Sequence, residues 1–220
     1  MSASSASRAS HAAPPVRTVH LYVFDGFADW EPAFAVAGIH SPAFQREPGR
    51  WRVRTVGDTT AAVQSMGGLQ VQPHLALADL QPAHSAMLIL PGGPGWDQGE
   101  HLAAARKGEQ FLQAGVPVAA ICGATAGLAR LGVLDERRHT SNALAYLKGT
   151  HYGGSDRYED EPAFNDGGLI TAGGMAPLEF AREIFRALGI YSDEALEAWY
   201  ALYRTGRSEH FARLQQSAAA

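Results

Sequence analysis

Val118-Ala119-Ala120-Ile121-Cys122-Gly123-Ala124-Thr125, continued by Ala126-Gly127-Leu128-Ala129-Arg130-Leu131, decides how this chain is read. The first four residues close an apolar run of buried-strand length, and the segment after Thr125 reads as the opening of a helix. The only cysteine of the chain therefore falls on the turn between a strand and a helix, with small residues on both sides. This is the arrangement of a nucleophile elbow, described for serine hydrolases. Bulk at Ala120, Gly123 or Ala124 would block the close backbone approach such a turn needs. The helix start presents free N–H groups and a partial positive charge to the sulfur, which favours thiolate over thiol. A free cysteine is also often a small buried hydrophobe. The strand–turn–helix setting is what makes Cys122 a candidate nucleophile.

Working outward, the chain alternates strand-like and helix-like segments. Thr18 to Phe24 is near-continuously apolar, as a central parallel strand covered on both faces would be. Asp29 or Trp30 then opens a helix with Glu31 and Pro32 in its first turn, where proline costs least. Trp51 to Val56 is a second strand. Ala62–Ser65 and Leu69–Gln72 flank Met66-Gly67-Gly68 as a small hairpin. Ser85 to Leu90 is a buried strand closed by Pro91-Gly92-Gly93-Pro94-Gly95, and a helix is expected between Gln98 and Ala114. Leu169 to Ala172 is a short strand. Pro177 to Leu188 is a helix with Phe180, Ile184 and Leu188 on one face. Ser192 caps a last helix carrying Trp199, Tyr200 and Tyr203, which pack either on their own domain or against a second copy.

This alternation predicts an α/β fold: a doubly wound parallel sheet with helices on both faces (flavodoxin-like), a small β-hairpin and an extra C-terminal helix. Ligands gather at the carboxyl ends of the strands in such sheets. The stretch from Asp25 to Glu31, Gly92-Gly93, Cys122 and Thr171–Gly174 all fall at those ends.

The 220 residues and their formal charge of −4 suit one globular domain. No basic patch points to nucleic acid, and no apolar stretch is long enough to cross a membrane. One cysteine excludes an internal disulfide and fits a reducing, cytoplasmic setting. Residues 1–16 are expected to be a disordered tail. Their Ala/Ser-rich, acid-free composition also suits a transit peptide, but they lack the apolar core of a secretory signal.

Three segments carry a family resemblance: Leu88-Ile-Leu-Pro-Gly-Gly93, Ala120-Ile-Cys-Gly-Ala124, and Asp166-Gly-Gly-Leu-Ile-Thr-Ala-Gly-Gly174. Together with Phe24-Asp-Gly-Phe-Ala-Asp-Trp-Glu31, they resemble the ThiJ/PfpI superfamily, the class I glutamine amidotransferase-like branch of the flavodoxin-like fold. The resemblance spans residues 17–190 in order and leaves 191–220 as a C-terminal helical extension. It implies Cys122 as nucleophile and Glu31 as a protonated carboxyl that donates to the thiolate. A carboxyl beside an anion in a partly buried pocket has its pKa raised, so the role is physically coherent. Taken alone, Glu31 reads equally as a helix-dipole partner. The N–H groups of Gly92, Gly93 and Gly123 are candidate oxyanion donors. Without the resemblance, Pro-Gly-Gly-Pro-Gly is only a strand-ending turn.

The chain departs from parts of that pattern. Peptidase-like relatives have a histidine directly after the cysteine, where this chain has Gly123. Many relatives have another beyond the nucleophile helix, where this chain has Asn142, and the His-x-Glu pair of glutamine amidotransferases is absent. His151, in a glycine-rich loop, and His139 remain as candidate bases. His151, Asp156, Glu159 and Asp160 match no metal-ligand spacing, so no metal is expected.

These features lead to a cofactor-free, cysteine-dependent enzyme acting on small carbonyl or acyl compounds. Several relatives hydrate methylglyoxal to lactate or are reported to reverse early glycation. One alternative is a non-catalytic oxidative-stress sensor or binding module in which Cys122 is oxidised first. Another is an amidase, peptidase or glutamine amidotransferase, which lacks its histidine. A transcription regulator would need an added helix-turn-helix domain, for which the residues after Leu188 are too few and too weakly basic. The expected partners are a small-molecule substrate and a second copy in a homodimer.

Overall fold

A computed structural model of the chain describes residues 15–217. Its centre is a seven-stranded sheet. The strands are β1 (Arg17–Tyr22), β2 (Trp51–Gly57), β5 (Leu75–Ala76), β6 (Met87–Leu90), β7 (Val118–Ile121), β8 (Ala163–Asp166) and β9 (Leu169–Ala172). They lie in the order β5-β2-β1-β6-β7-β9-β8, and β3 (Val63–Gln64) pairs with β4 (Gln70–Val71) as the separate small hairpin. Every pairing in the large sheet is parallel except β8 with β9. The apolar runs of β6, β7 and β9 are buried throughout, as central strands sealed on both faces must be. The fold is therefore α/β and flavodoxin-like, as the alternation predicts.

The helices are α1 (Trp30–His40), α2 (Leu102–Gln113), α3 (Gly123–Arg130), α4 (Leu144–Lys148), α5 (Pro177–Leu188), α6 (Asp193–Thr205) and α7 (Ser208–Ser217). Helices α1 and α5 pack closely together, and a Cβ on Gly38 of α1 would lie 2.4 Å from the Phe185 ring of α5. On the other face, Gly108 of α2 sits over Leu90 and Val118. Ser192 caps α6 as expected, its hydroxyl accepting from the Ala195 N–H at 3.2 Å.

The structure differs from the sequence reading in a few places. The C-terminal segment holds two helices rather than one. Trp199 is 5 % exposed and packs on Phe185, Tyr191 and Phe34 of its own chain, while Tyr203 remains 54 % exposed beside it. Strands β5 and β8 and helix α4 are additions. β8 turns into β9 through Gly167 and Gly168, both with positive φ (57° and 96°). That pair of angles is the geometry of a tight hairpin turn. The expected tail lies outside the described residues, apart from Pro15 and Val16. No helix among the described residues is long and apolar enough to cross a membrane.

Candidate active site

Cys122 follows the carboxyl end of β7 and precedes the first residue of α3, with φ 56° and ψ −124°. A side-chain-bearing residue held at such angles stores roughly 1–3 kcal/mol, which the surroundings must offset. Three hydrogen bonds do so. The Cys122 N–H donates to Ala172 O at 3.0 Å, while its carbonyl accepts from the Thr125 N–H at 3.1 Å and the Thr125 hydroxyl at 2.6 Å. The small residues that follow serve packing as well as the turn. Gly123 and Gly127 lie against Trp96, whose ring would meet a Cβ on Gly127 at 2.3 Å.

Glu31 reaches the sulfur from the first turn of α1 and is 1 % exposed. Its Oε2 accepts from the Gly92 N–H at 2.6 Å, and its carboxyl hydrogen-bonds Cys122. Two glycines make room for this pair. A Cβ on Gly92 would lie 2.8 Å from Glu31 Oε2 and 3.0 Å from Cys122 Sγ, and one on Gly174 would lie 2.9 Å from the sulfur. The hairpin β3–β4 clamps the loop leading into α1. Asp25 accepts from the Gln64 N–H at 2.8 Å, and Asp29 accepts from the Ser65 hydroxyl at 2.5 Å and the Gly67 N–H at 3.0 Å. Both aspartates thus hold structure rather than face the sulfur.

The third side chain is Asn142, whose Nδ2 donates to Cys122 Sγ at 3.4 Å. Its Oδ1 accepts from the Gly174 N–H at 2.8 Å, which fixes the amide so that its donor end faces the sulfur. Sequence alone places Asn142 only as the occupant of a relative's histidine position. Its contact depends on the segment after α3 returning to β9, and the Thr125–Ser141 hydroxyl contact at 2.6 Å marks that return. A cavity of about 380 Å³ opens beside Asn142, lined also by Ser141, Tyr158, Gly173 and Met175.

Burial pushes the Glu31 carboxyl up to about 7. Burial and the Glu31 charge push the Cys122 thiol up to about 11, against the Asn142 amide and the Gly123 N–H, which favour the thiolate. The helix start favours the thiolate, as the sequence predicts, but desolvation and the neighbouring acid outweigh it. Between these two values the pair holds one proton and one negative charge. The values belong to the pair rather than to either atom.

The remaining sequence candidates are placed differently. Gly92 is not free as an oxyanion donor, because its N–H is spent on Glu31. The Gly123 N–H faces the Cys122 sulfur. Gly93 lies beside them, its Cα against the Phe24 ring. His139 is fully buried and bridges the Arg137 carbonyl (2.7 Å) and the Tyr152 hydroxyl (3.0 Å), a packing role away from Cys122. His151 is exposed and has φ 62°. Its loop does not cover the site, because the Gly153 N–H donates to Asp135 at 2.9 Å, beyond the far end of α3. Eight residues of helix separate the two ends by about 12 Å. Neither histidine touches the sulfur. Among the described residues no three His, Cys, Asp or Glu side chains gather closely enough to hold a metal ion.

Residues 17–187 match the DJ-1/PfpI family. The chain belongs to that family. It is 38 % identical over 204 residues to the uncharacterized protease YoaZ of Bacillus subtilis, covering 91 % of this chain and 97 % of that protein. The uncharacterized protease YdeA of the same organism is 30 % identical over 185 residues, covering 84 % and 89 %. A ThiJ/PfpI family protein from Bacillus anthracis has a crystal structure that superposes with a TM-score of 0.87 at 38 % identity, covering 93 % of this chain and 99 % of that one. A DJ-1 superfamily protein from Agrobacterium tumefaciens gives 0.78 at 34 % identity, covering 87 % and 99 %.

Proposed function

We propose that this chain is a cofactor-free DJ-1/PfpI enzyme that uses Cys122 as nucleophile and Glu31 as proton carrier on small carbonyl compounds, 2-oxoaldehydes foremost. The observation that carries the reading is a buried carboxyl titrating near neutrality in hydrogen-bond contact with the sulfur. A group with a pKa near the working pH is the one best able both to take and to return a proton.

The chemistry balances with these groups alone. The sulfur adds to the aldehyde carbon, the C=O π pair moves onto oxygen, and the thiol proton passes through Glu31 to that oxygen to give a hemithioacetal. The N–H groups of Gly93 and Gly123 are assigned as donors to the developing negative oxygen, the second already facing the sulfur. The Glu31 carboxylate then removes the proton on the sulfur-bearing carbon, forming an enediol. It returns a proton to the neighbouring carbon while the hydroxyl proton shifts between the oxygens, leaving a 2-hydroxy thioester. Water hydrolyses that thioester to the 2-hydroxy acid, with Glu31 passing the water's proton back to sulfur. The net reaction adds one water, and nothing is oxidised overall.

The relatives' naming as proteases suggests a hydrolase instead. Amide cleavage needs an acid to protonate the departing nitrogen. With Gly123 and Asn142 at the two histidine positions, only Glu31 is left for that task. The carbonyl reaction needs no more than Glu31 and is therefore favoured. Incubating the protein with methylglyoxal and following lactate tests it: turnover is expected in wild type and absent in Cys122→Ala. Glu31→Gln should lower kcat by about 10²–10⁴, the usual worth of a positioned acid–base. A wild type without cysteine-dependent turnover would overturn the enzyme reading and leave Cys122 as an oxidation sensor.

A further inference from the structure

Cys122 lies at the carboxyl edge of the sheet, and the amino edge carries a different chemistry. A cavity of about 720 Å³ opens there, lined by the amino ends of β1 and β2 and by the segment before β6. The register pairs Thr18 with Arg52 and His20 with Arg54, so these four side chains share one sheet face. Among the described residues no full helix covers that face, for a topological reason. The chain from β2 to β6 holds only the hairpin, β5 and two single helical turns, while α2 lies over β6 and β7. Positions that a covering helix would make apolar are here threonine, histidine and two arginines.

Several observations point to a ligand. His20 is 4 % exposed, and its Nδ1 meets the Ser85 hydroxyl at 2.6 Å. That is its one side-chain hydrogen bond among the described residues, and His20 is one of the residues lining the cavity. The Arg52 Nε donates to the Thr18 hydroxyl at 2.7 Å, which aligns the guanidinium while leaving its terminal N–H groups unused. Neither Arg52 nor Arg54 has an acidic partner among the described residues, and Asp79 is the one acid in the lining. Burial, with the charges of Arg54, Arg52, His74 and His84 around it, holds His20 down to about 4. A chain of net charge −4 has thus gathered uncompensated positive charge around a buried imidazole.

We propose that this cavity binds a small phosphate monoester, with the Arg52 and Arg54 guanidinium groups on the phosphate and His20 Nε2 as the third contact. Two arginines two residues apart on one strand face stand about 7 Å apart. A single planar carboxylate is satisfied by one guanidinium fork, whereas a dianion with three free oxygens occupies two. The volume lies within the range of small-molecule pockets, about 300–1,000 Å³, leaving room for an organic body against Leu75 and Leu80.

Calorimetric titration of the whole chain at low salt tests this with inorganic phosphate, glucose 6-phosphate, glucose and acetate. Saturable binding of the two phosphates is expected, weakening with added salt, with no binding of glucose or acetate. The double variant Arg52→Gln/Arg54→Gln should weaken phosphate binding by at least about tenfold, or about 1.4 kcal/mol. Its Cys122 alkylation rate should match wild type, which shows that the fold is intact, and Cys122→Ala should bind phosphate unchanged. The proposal is overturned if neither phosphate binds below about 10 mM. It is equally overturned if the arginine variant binds as well as wild type, or if Cys122→Ala abolishes binding.

Discussion

The sulfur of Cys122 meets Glu31, the Asn142 amide and the Gly123 N–H, and each contact biases one shared proton. Asn142 stands where the family resemblance leads one to expect a histidine. An amide cannot carry a proton, but it can donate to the anion. Asn142→Ala removes that donor and frees the Gly174 N–H. Hydrogen bonds to charged groups are worth about 1.5–3 kcal/mol. The variant should therefore alkylate at Cys122 about tenfold or more slowly at pH 8, read by mass spectrometry against time. Cys122 was legible from its strand–turn–helix setting, and Glu31 from the family likeness around it. The contact of Asn142 was not, because twenty residues of chain must fold back before amide and sulfur meet. The net direction of the thiol's shift is not legible in the sequence, because no local pattern announces how thoroughly the sulfur and the carboxyl next to it are buried.

At the scale of elements, the turn at Cys122 is held by what packs against α3. The Trp96 side chain, 0 % exposed, wedges α3 in place, donating from its Nε1 to Pro91 O at 2.8 Å while its ring covers Gly123 and Gly127. Arg130 at the end of α3 donates to the Trp96 carbonyl at 2.8 Å. Overpacking of this kind costs about 1–3 kcal/mol. Gly127→Ala should lower Tm by about 2–4 °C for each kcal/mol, measured by thermal unfolding. The elements read most clearly from sequence are β6, β7, β9 and α5, whose apolar runs or stripes are long and uninterrupted. Strand β8 was missed because Ala163–Asp166 is half-buried along its length and carries two polar residues at the sheet edge. The Gly167-Gly168 pair was its only local signal. Strand β5, two residues long, has no pattern to read.

Over the whole molecule, two buried groups make stability depend on pH in opposite senses. Glu31 keeps its proton in the fold up to about 7, whereas its ordinary value is 4.5. Its contribution is therefore full below 4.5 and lost as pH rises through about 7. His20 is held down to about 4 from 6.5, so its contribution is full above 6.5 and lost as pH falls through about 4. Glu31→Gln removes the first dependence. Relative to wild type, that variant should gain stability progressively between pH 4.5 and 8, reaching about 1–3 kcal/mol by urea unfolding at pH 8. A variant that loses catalysis while gaining stability is the expected mark of a site held at energetic cost. The likeness to the Bacillus anthracis protein covers 93 % of the chain, more than residues 1–187 make up, so it takes in part of the C-terminal helices. The family match itself ends at residue 187, and the amphipathic pattern of those helices carries no motif of its own.

The shared proton is tested most directly by the pH dependence of Cys122 alkylation with iodoacetamide, in wild type and in Glu31→Gln. Wild type should show two steps, one near pH 7 as the pair gives up its first proton and one near pH 11 as it gives up its second. Glu31→Gln should lose the lower step and move the upper one down, because the opposing carboxylate charge is gone. A single step near the free-thiol value of about 8.5, the same in both proteins, would contradict the coupling on which this account of the site depends.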